Sequence, residues 1–218
     1  MERKMRDYPL ILLCGGKSVR MGSPKGLLEI SGSLLFLEHI KQFQKAGGQK
    51  VVLVLGYHIE KYMDHICWTN DLNDDKWIEH GGINIAIVRN HNPHHGQFSS
   101  IICGFERLIQ DDFPGAFVMP VDMLPPEKNT LKALINNMDA SIDVCIPSWK
   151  GSGGHPVLLS DAYIRTLLKI PTISPDTRLD YEIRTLAADS INYVETLDNR
   201  ITGNANTLPE FKSIKSGY

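Results

Sequence analysis

Leu10-Ile11-Leu12-Leu13-Cys14-Gly15-Gly16-Lys17-Ser18-Val19-Arg20-Met21-Gly22-Ser23-Pro24-Lys25 is a short apolar run that breaks into two adjacent glycines, followed by an arginine and a lysine within ten residues. An apolar run of this length bounded by glycine reads as a buried strand, here Tyr8 to Cys14, that ends in a loop. Glycines let the backbone turn tightly and let a ligand approach without meeting a Cβ. Successive backbone N–H groups in such a loop can cradle phosphate oxygens. Arg20 can grip phosphate through two parallel hydrogen bonds, and Lys25 brings a mobile point charge. The pattern points to a triphosphate site at the end of the first strand. The plain alternative is a glycine turn with solvated cations. Neither standard phosphate loop fits, because the spacing lacks both the Walker pattern and Gly-x-Gly-x-x-Gly.

Outward from this loop, strand-like and helix-like segments alternate. Helices are expected at Leu34–Ala46, Ser99–Ile109, Lys128–Met138 and Asp161–Leu168, each with apolar residues at helical spacing. Strands are expected at Lys50–Gly56, Ile83–Val88, Gly115–Val121, Asp143–Pro147, His155–Leu159 and Ile191–Leu197. Such alternation predicts an α/β fold with a mostly parallel sheet. Trp68 to Gly82 reads as a polar, irregular surface excursion. No repeat or linker interrupts the chain, so one domain over residues 1–218 is expected.

Bulk properties narrow the function. A formal net charge of -2 gives no general attraction to nucleic acid. Cys14, Cys67, Cys103 and Cys145 are widely separated, which reads as free thiols in a reducing compartment. Met1 to Cys14 faintly mimics a signal peptide but lacks a convincing cleavage site. No segment reaches the ~20 apolar residues that span a bilayer. A cytoplasmic protein with neither nucleic-acid nor membrane partners is the expectation.

A second constellation is Val118-Met119-Pro120-Val121-Asp122, which places a carboxylate at the end of an apolar strand. Such a group must be solvated, paired or bound to metal. A turn or helix-capping aspartate is the competing reading. In open α/β sheets, ligands bind outside the carboxyl ends of the strands, so the glycine loop and Asp122 can share one crevice.

The N-terminal stretch Leu13-Cys14-Gly15-Gly16-x-Ser18-x-Arg20-Met21-Gly22-x-Pro24-Lys25-x-Leu27-Leu28 resembles the signature of the molybdenum cofactor nucleotidyltransferases, which have guanylyl and cytidylyl branches. The resemblance implies a three-layer Rossmann-like nucleotidyltransferase fold. It also implies that an acceptor phosphate attacks the α-phosphorus of GTP or CTP and that pyrophosphate leaves. By that resemblance Leu13, Cys14, Gly15, Gly16, Lys17, Ser18, Arg20, Lys25 and Ser99 hold the nucleotide, and Arg20, Lys25 and Asp122 act in the transfer. The resemblance further implies that Asp122 binds Mg²⁺, whose need for few protein ligands suits a single carboxylate beside phosphates. The family's second metal motif matches Asn204-Ala205-Asn206-Thr207-Leu208-Pro209-Glu210 loosely, with Asn204 and Asn206 in the ligand positions and Leu208 inserted. An asparagine-rich turn is the alternative there.

The acceptor side is expected at Gln97, Ser100 and His155. Gln97-Phe98-Ser99-Ser100 precedes a helix that Ser99 could cap, and Gly154-His155-Pro156-Val157 resembles an acceptor-facing segment of the cytidylyl branch. His155 could equally be a polar residue satisfied at a strand start. His91, His94 and His95 lack the further ligands of a recognisable zinc site. The implied acceptor is molybdopterin or another phosphorylated small molecule, with a molybdoenzyme or chaperone as partner. Gly15 and Lys25-Gly26-Leu27 resemble the guanylyl branch, where the missing Cβ at Gly15 would make room for a purine; the middle of the chain resembles the cytidylyl branch. A cytidylyltransferase acting on a sugar or polyol phosphate, or a silent nucleotide binder, are the competing functions.

Overall fold

The computed structural model describes residues 3–18, 22–69 and 76–203. The first strand, β1 (Leu10–Cys14), is followed by a small hairpin of β2 (Glu29–Ile30) and β3 (Ser33–Leu34), then α1 (Leu35–Lys45), β4 (Lys50–Leu55) and α2 (Ile59–Met63). The chain continues through β5 (Ile78–His80), β6 (Ile83–Arg89), α3 (Gln97–Leu108), β7 (Gly115–Pro120) and α4 (Lys128–Asn137). It closes with β8 (Val144–Trp149), β9 (Ser152–Gly153), β10 (Val157–Ser160), α5 (Asp161–Leu167), α6 (Leu179–Arg184) and β11 (Ile191–Glu195).

Among the described residues the main sheet has nine strands, in the order β11-β8-β10-β7-β1-β4-β6-β5, with β9 paired on β8. β11, β8, β7, β1, β4 and β6 run in one direction, and β10, β9 and β5 run against them. The fold is therefore α/β with a mixed, mostly parallel sheet. β1 shows why its sequence is apolar throughout: all five residues are buried, as expected for a central parallel strand covered on both faces. Leu10, Leu12 and Cys14 face one side, with Leu35, Phe36, Ile40 and Phe43 of α1 and Leu131, Leu134 and Ile135 of α4. Ile11 and Leu13 face the other, with Phe98, Ile101, Phe105 and Leu108 of α3 and Ile164 and Leu167 of α5. Each fully buried aliphatic or Phe side chain contributes about 1.5–3 kcal/mol over leaving it in water. Gly104 lets α3 lie close on the sheet, since a Cβ there would come within 2.7 Å of Ile11 Cγ2.

One expectation needs correction. The segment read as a surface excursion includes β5, which pairs antiparallel with β6 from Ile78↔Ile85 to His80↔Ile83. The reversal is made by Gly81 and Gly82, at φ 59° and 84°. Leu159 and its neighbours do form a strand, but β10 lies antiparallel between β7 and β8.

β1 sits where the connections change side, with β4 on one flank and β7 on the other. The carboxyl ends of β1 and β7 meet at Leu13↔Pro120, and the Val121 amide donates to Leu13 O at 3.1 Å. Asp122 and the glycine loop are thereby brought to one edge of the sheet, at a topological switch point.

Candidate active site

A cleft of about 360 Å³ opens at that edge. Leu13, Cys14, Gly15, Gly16, Lys17 and Ser18 line one wall, and Lys25 and Asp122 close it. Lys25 Nζ donates to Asp122 Oδ2 at 2.7 Å, with side chains 17% and 24% exposed. A charge-assisted bond this short, still open to solvent, sets a cation and an anion beside the loop amides.

The loop is built by local hydrogen bonds. Ser18, at φ 50°, accepts from the Lys25 amide at 3.1 Å, so its hydroxyl ties the two ends of the turn together. Arg20 lies outside the described residues. Lys17 O accepts from His58 Nε2 at 3.0 Å, and Lys17 Nζ lies 5.0 Å from the centroid of the Tyr57 ring. Gly15 and Gly56 pack backbone to backbone: a Cβ on Gly56 would lie 2.9 Å from Gly15 O. A Cβ on Gly15 would lie 2.9 Å from Ser100 Oγ, whereas one on Gly16 meets nothing within 4 Å. The glycine at position 15 thus serves contact with α3 and the end of β4.

Cys14 contributes backbone only. Its thiol is buried and pushed up by that burial, against a hydrogen bond with Tyr62. The Tyr62 hydroxyl accepts from the Gly26 amide at 3.2 Å, and burial raises its pKa as well. Tyr62 is a site residue that the sequence reading missed; it sits on α2, five residues long and without a legible helical period.

Gln97 and Ser100 line the same cleft. Ser99 does not. It faces a separate hollow of about 400 Å³ behind α3. Nor does it cap α3, since Gly96 occupies that position; its hydroxyl donates to Gly96 O at 2.7 Å. Asn90, buried at the end of β6, donates to Ser99 Oγ at 2.8 Å and to Ser100 Oγ at 2.9 Å. Its carbonyl accepts from the Asn92 amide at 2.8 Å. No motif spacing flagged Asn90, because its partners are hydroxyls and a loop amide.

His155 lies in an adjoining cleft of about 800 Å³ that shares Leu13, Gln97 and Pro120 with the first. Burial lowers the ring's pKa, against a hydrogen bond to the Val118 backbone and the charge of Asp122. Its Nδ1 is buried without a partner among the described residues. At the rim, Arg178 pairs with Asp180 at 2.8 Å and stacks 4.8 Å from the Tyr181 centroid.

Asn204 and Asn206 lie outside the described residues, so Asp122 is the described member of the expected metal set. Among the described residues no group of three or more His, Cys, Asp or Glu gathers as a metal site. A single carboxylate facing a cleft still fits Mg²⁺, which takes one or two carboxylates plus substrate phosphates and water.

The MobA-like NTP transferase domain model matches residues 10–188. A probable molybdenum cofactor guanylyltransferase from Pyrococcus horikoshii is 28% identical over 160 residues, covering 73% of this chain and 70% of that protein. A 2-C-methyl-D-erythritol 4-phosphate cytidylyltransferase from Leptospira interrogans is 32% identical over 102 residues, covering 45% of this chain and 37% of the relative's length. The solved structure of a nucleotidyl transferase from Methanothermobacter superposes with a TM-score of 0.75 at 16% identity, over 96% of each chain, a likeness of fold.

Proposed function

The chain belongs to the MobA-like NTP transferase domain family, and from that premise we propose that it transfers a nucleotidyl group from GTP or CTP to a phosphorylated small molecule, with molybdopterin as the first acceptor to test. The observation that carries this reading is the Lys25–Asp122 pair, set beside the glycine loop in a cleft continuous with a larger one.

In the proposed reaction a phosphate oxygen of the acceptor attacks the α-phosphorus. The new O–P bond forms as the bond to the β-phosphate oxygen breaks, and the electron pair leaves with pyrophosphate. Positioning and charge neutralisation supply most of such catalysis. The amides of Gly15 to Ser18 and Arg20 would hold the phosphates, and Lys25 would neutralise charge at the α-phosphate. Asp122, with Asn204 or Asn206, would hold Mg²⁺, which supplies charge neutralisation at the reacting phosphates when bound. The acceptor would occupy the larger cleft, where the unpartnered Nδ1 of His155 and the Arg178 guanidinium offer polar contacts. A molybdoenzyme or chaperone would take the product.

A sugar or polyol phosphate acceptor is the second reading, favoured by the match to the Leptospira relative named for such a substrate. The test is pyrophosphate release with each of GTP, CTP, ATP and UTP, against molybdopterin and against polyol phosphates. Release that depends on one acceptor class selects between the readings. Triphosphate binding without release under any acceptor rejects both.

A further inference from the structure

One histidine lies beneath the site without touching the cleft. His39 is on the core face of α1, between Phe36, Ile40 and Phe43, and is 2% exposed. Its Nε2 lies 3.0 Å from Met123 O. A carbonyl can only accept, so Nε2 carries the proton. Met123 directly follows Asp122. The segment is also tied by the Val121 amide to Leu13 O at 3.1 Å and the Met123 amide to Pro120 O at 3.3 Å. Both fix the strand end, and neither reaches past Met123 on the carbonyl side. A polar ring buried beside Phe36, Ile40 and Phe43, with only the Glu38 carboxylate as a further buried polar group on α1, incurs a desolvation cost that its hydrogen bond offsets.

We propose that His39 is a positioning residue for the proposed transfer: by binding the Met123 carbonyl next to Asp122, it holds that carboxylate against Lys25. The proposal rests on the functional reading above for its kinetic consequence only. Its geometric consequence stands apart from any turnover.

Three substitutions separate the donor from the volume. His39→Gln places an amide N–H near the Nε2 position. His39→Asn places one near Nδ1, too short to reach Met123. His39→Leu removes the donor and keeps an apolar filler. The structure of each ligand-free variant is solved, and pyrophosphate release is measured with the full chain. In the Leu and Asn variants the Lys25 Nζ–Asp122 separation should grow beyond hydrogen-bond reach. Their kcat should fall about 10–100-fold, the usual cost of losing a supporting partner, with KM for the triphosphate within about threefold. His39→Gln should keep the ion pair and most of the rate. Where His39→Leu does not fold, His39→Asn takes its place in the comparison. An intact 2.7 Å pair in the Leu or Asn variant, or a Gln variant as impaired as they are, overturns the proposal. If the wild-type chain releases no pyrophosphate, the functional reading fails, and the ion-pair geometry alone decides the role of His39.

Discussion

Lys25 Nζ and Asp122 Oδ2 lie 2.7 Å apart across a sequence separation of 97 residues. Each arrives by a different route. Lys25 opens a single helical turn after Pro24, and its amide is held by Ser18. Asp122 follows β7, anchored to β1 through Val121. The contact converts two separate sequence features, a loop cation and a strand-end acid, into one electrostatic unit. The lysine supplies the acid with a counter-charge beside the glycine loop.

The two loop glycines should respond differently to a methyl group. Gly15→Ala sets a Cβ 2.9 Å from Ser100 Oγ, while Gly16→Ala meets nothing within 4 Å. Overpacking of this kind costs about 1–3 kcal/mol. Denaturant unfolding of the two variants should show that loss for Gly15→Ala and a change within about 0.5 kcal/mol for Gly16→Ala. Equal losses would mean that the Ser100 contact does not govern position 15.

Asn90 joins β6 to the start of α3 through three hydrogen bonds, to Ser99 Oγ, Ser100 Oγ and the Asn92 amide. Asn90→Leu leaves the buried Ser99 and Ser100 hydroxyls without that partner, at about 1–3 kcal/mol for each stranded group. A total loss of about 3 kcal/mol is expected from the unfolding midpoint, together with a raised KM for triphosphate, because Ser100 lines the cleft. A neutral Asn90→Leu variant would contradict the network.

His39 also makes a pH prediction. Burial lowers its pKa from 6.5 to about 4 in the folded chain. As pH falls below 6.5, the unfolded chain takes up a proton that the folded chain refuses, so stability is present above that pH and is lost through the window down to about 4. Between about pH 7.5 and about pH 5 the wild type should lose roughly 2 kcal/mol more than His39→Gln, which cannot titrate. Parallel curves for the two proteins would contradict a buried neutral ring.

The sequence made the central elements legible because their burial is two-sided. β1, β4 and β7 are apolar at every interior position, and their bounds fall within two residues of those expected. Strand direction was hidden: side-chain pattern is the same for parallel and antiparallel pairing, so nothing in Val157–Ser160 announced that β10 runs backwards. α2 and α6, at five and six residues, are too short to display a helical period, and β5 is three residues long. At the site, the glycine loop, Lys25 and Asp122 stood out by residue type. Ser99 and Ser100 looked alike in sequence, yet a helix turns adjacent residues about 100° apart, and Ser100 alone of the two lines the cleft. His39 was submerged among Phe36, Ile40 and Phe43, where its partner is the Met123 carbonyl 84 residues away.

The measurement that tests the account most directly is acceptor-dependent pyrophosphate release in the wild type, Lys25→Ala and Asp122→Asn, each supplied with GTP or CTP. Removing one preorganised charge of this kind costs about 100–1,000-fold in turnover. The pair's side chains retain solvent contact at 17% and 24%, so stability should change by only about 1 kcal/mol. The account predicts release in the wild type with one of the two nucleotides, and a drop of at least about 100-fold in both variants while they stay folded. Wild-type rates in either folded variant would contradict it.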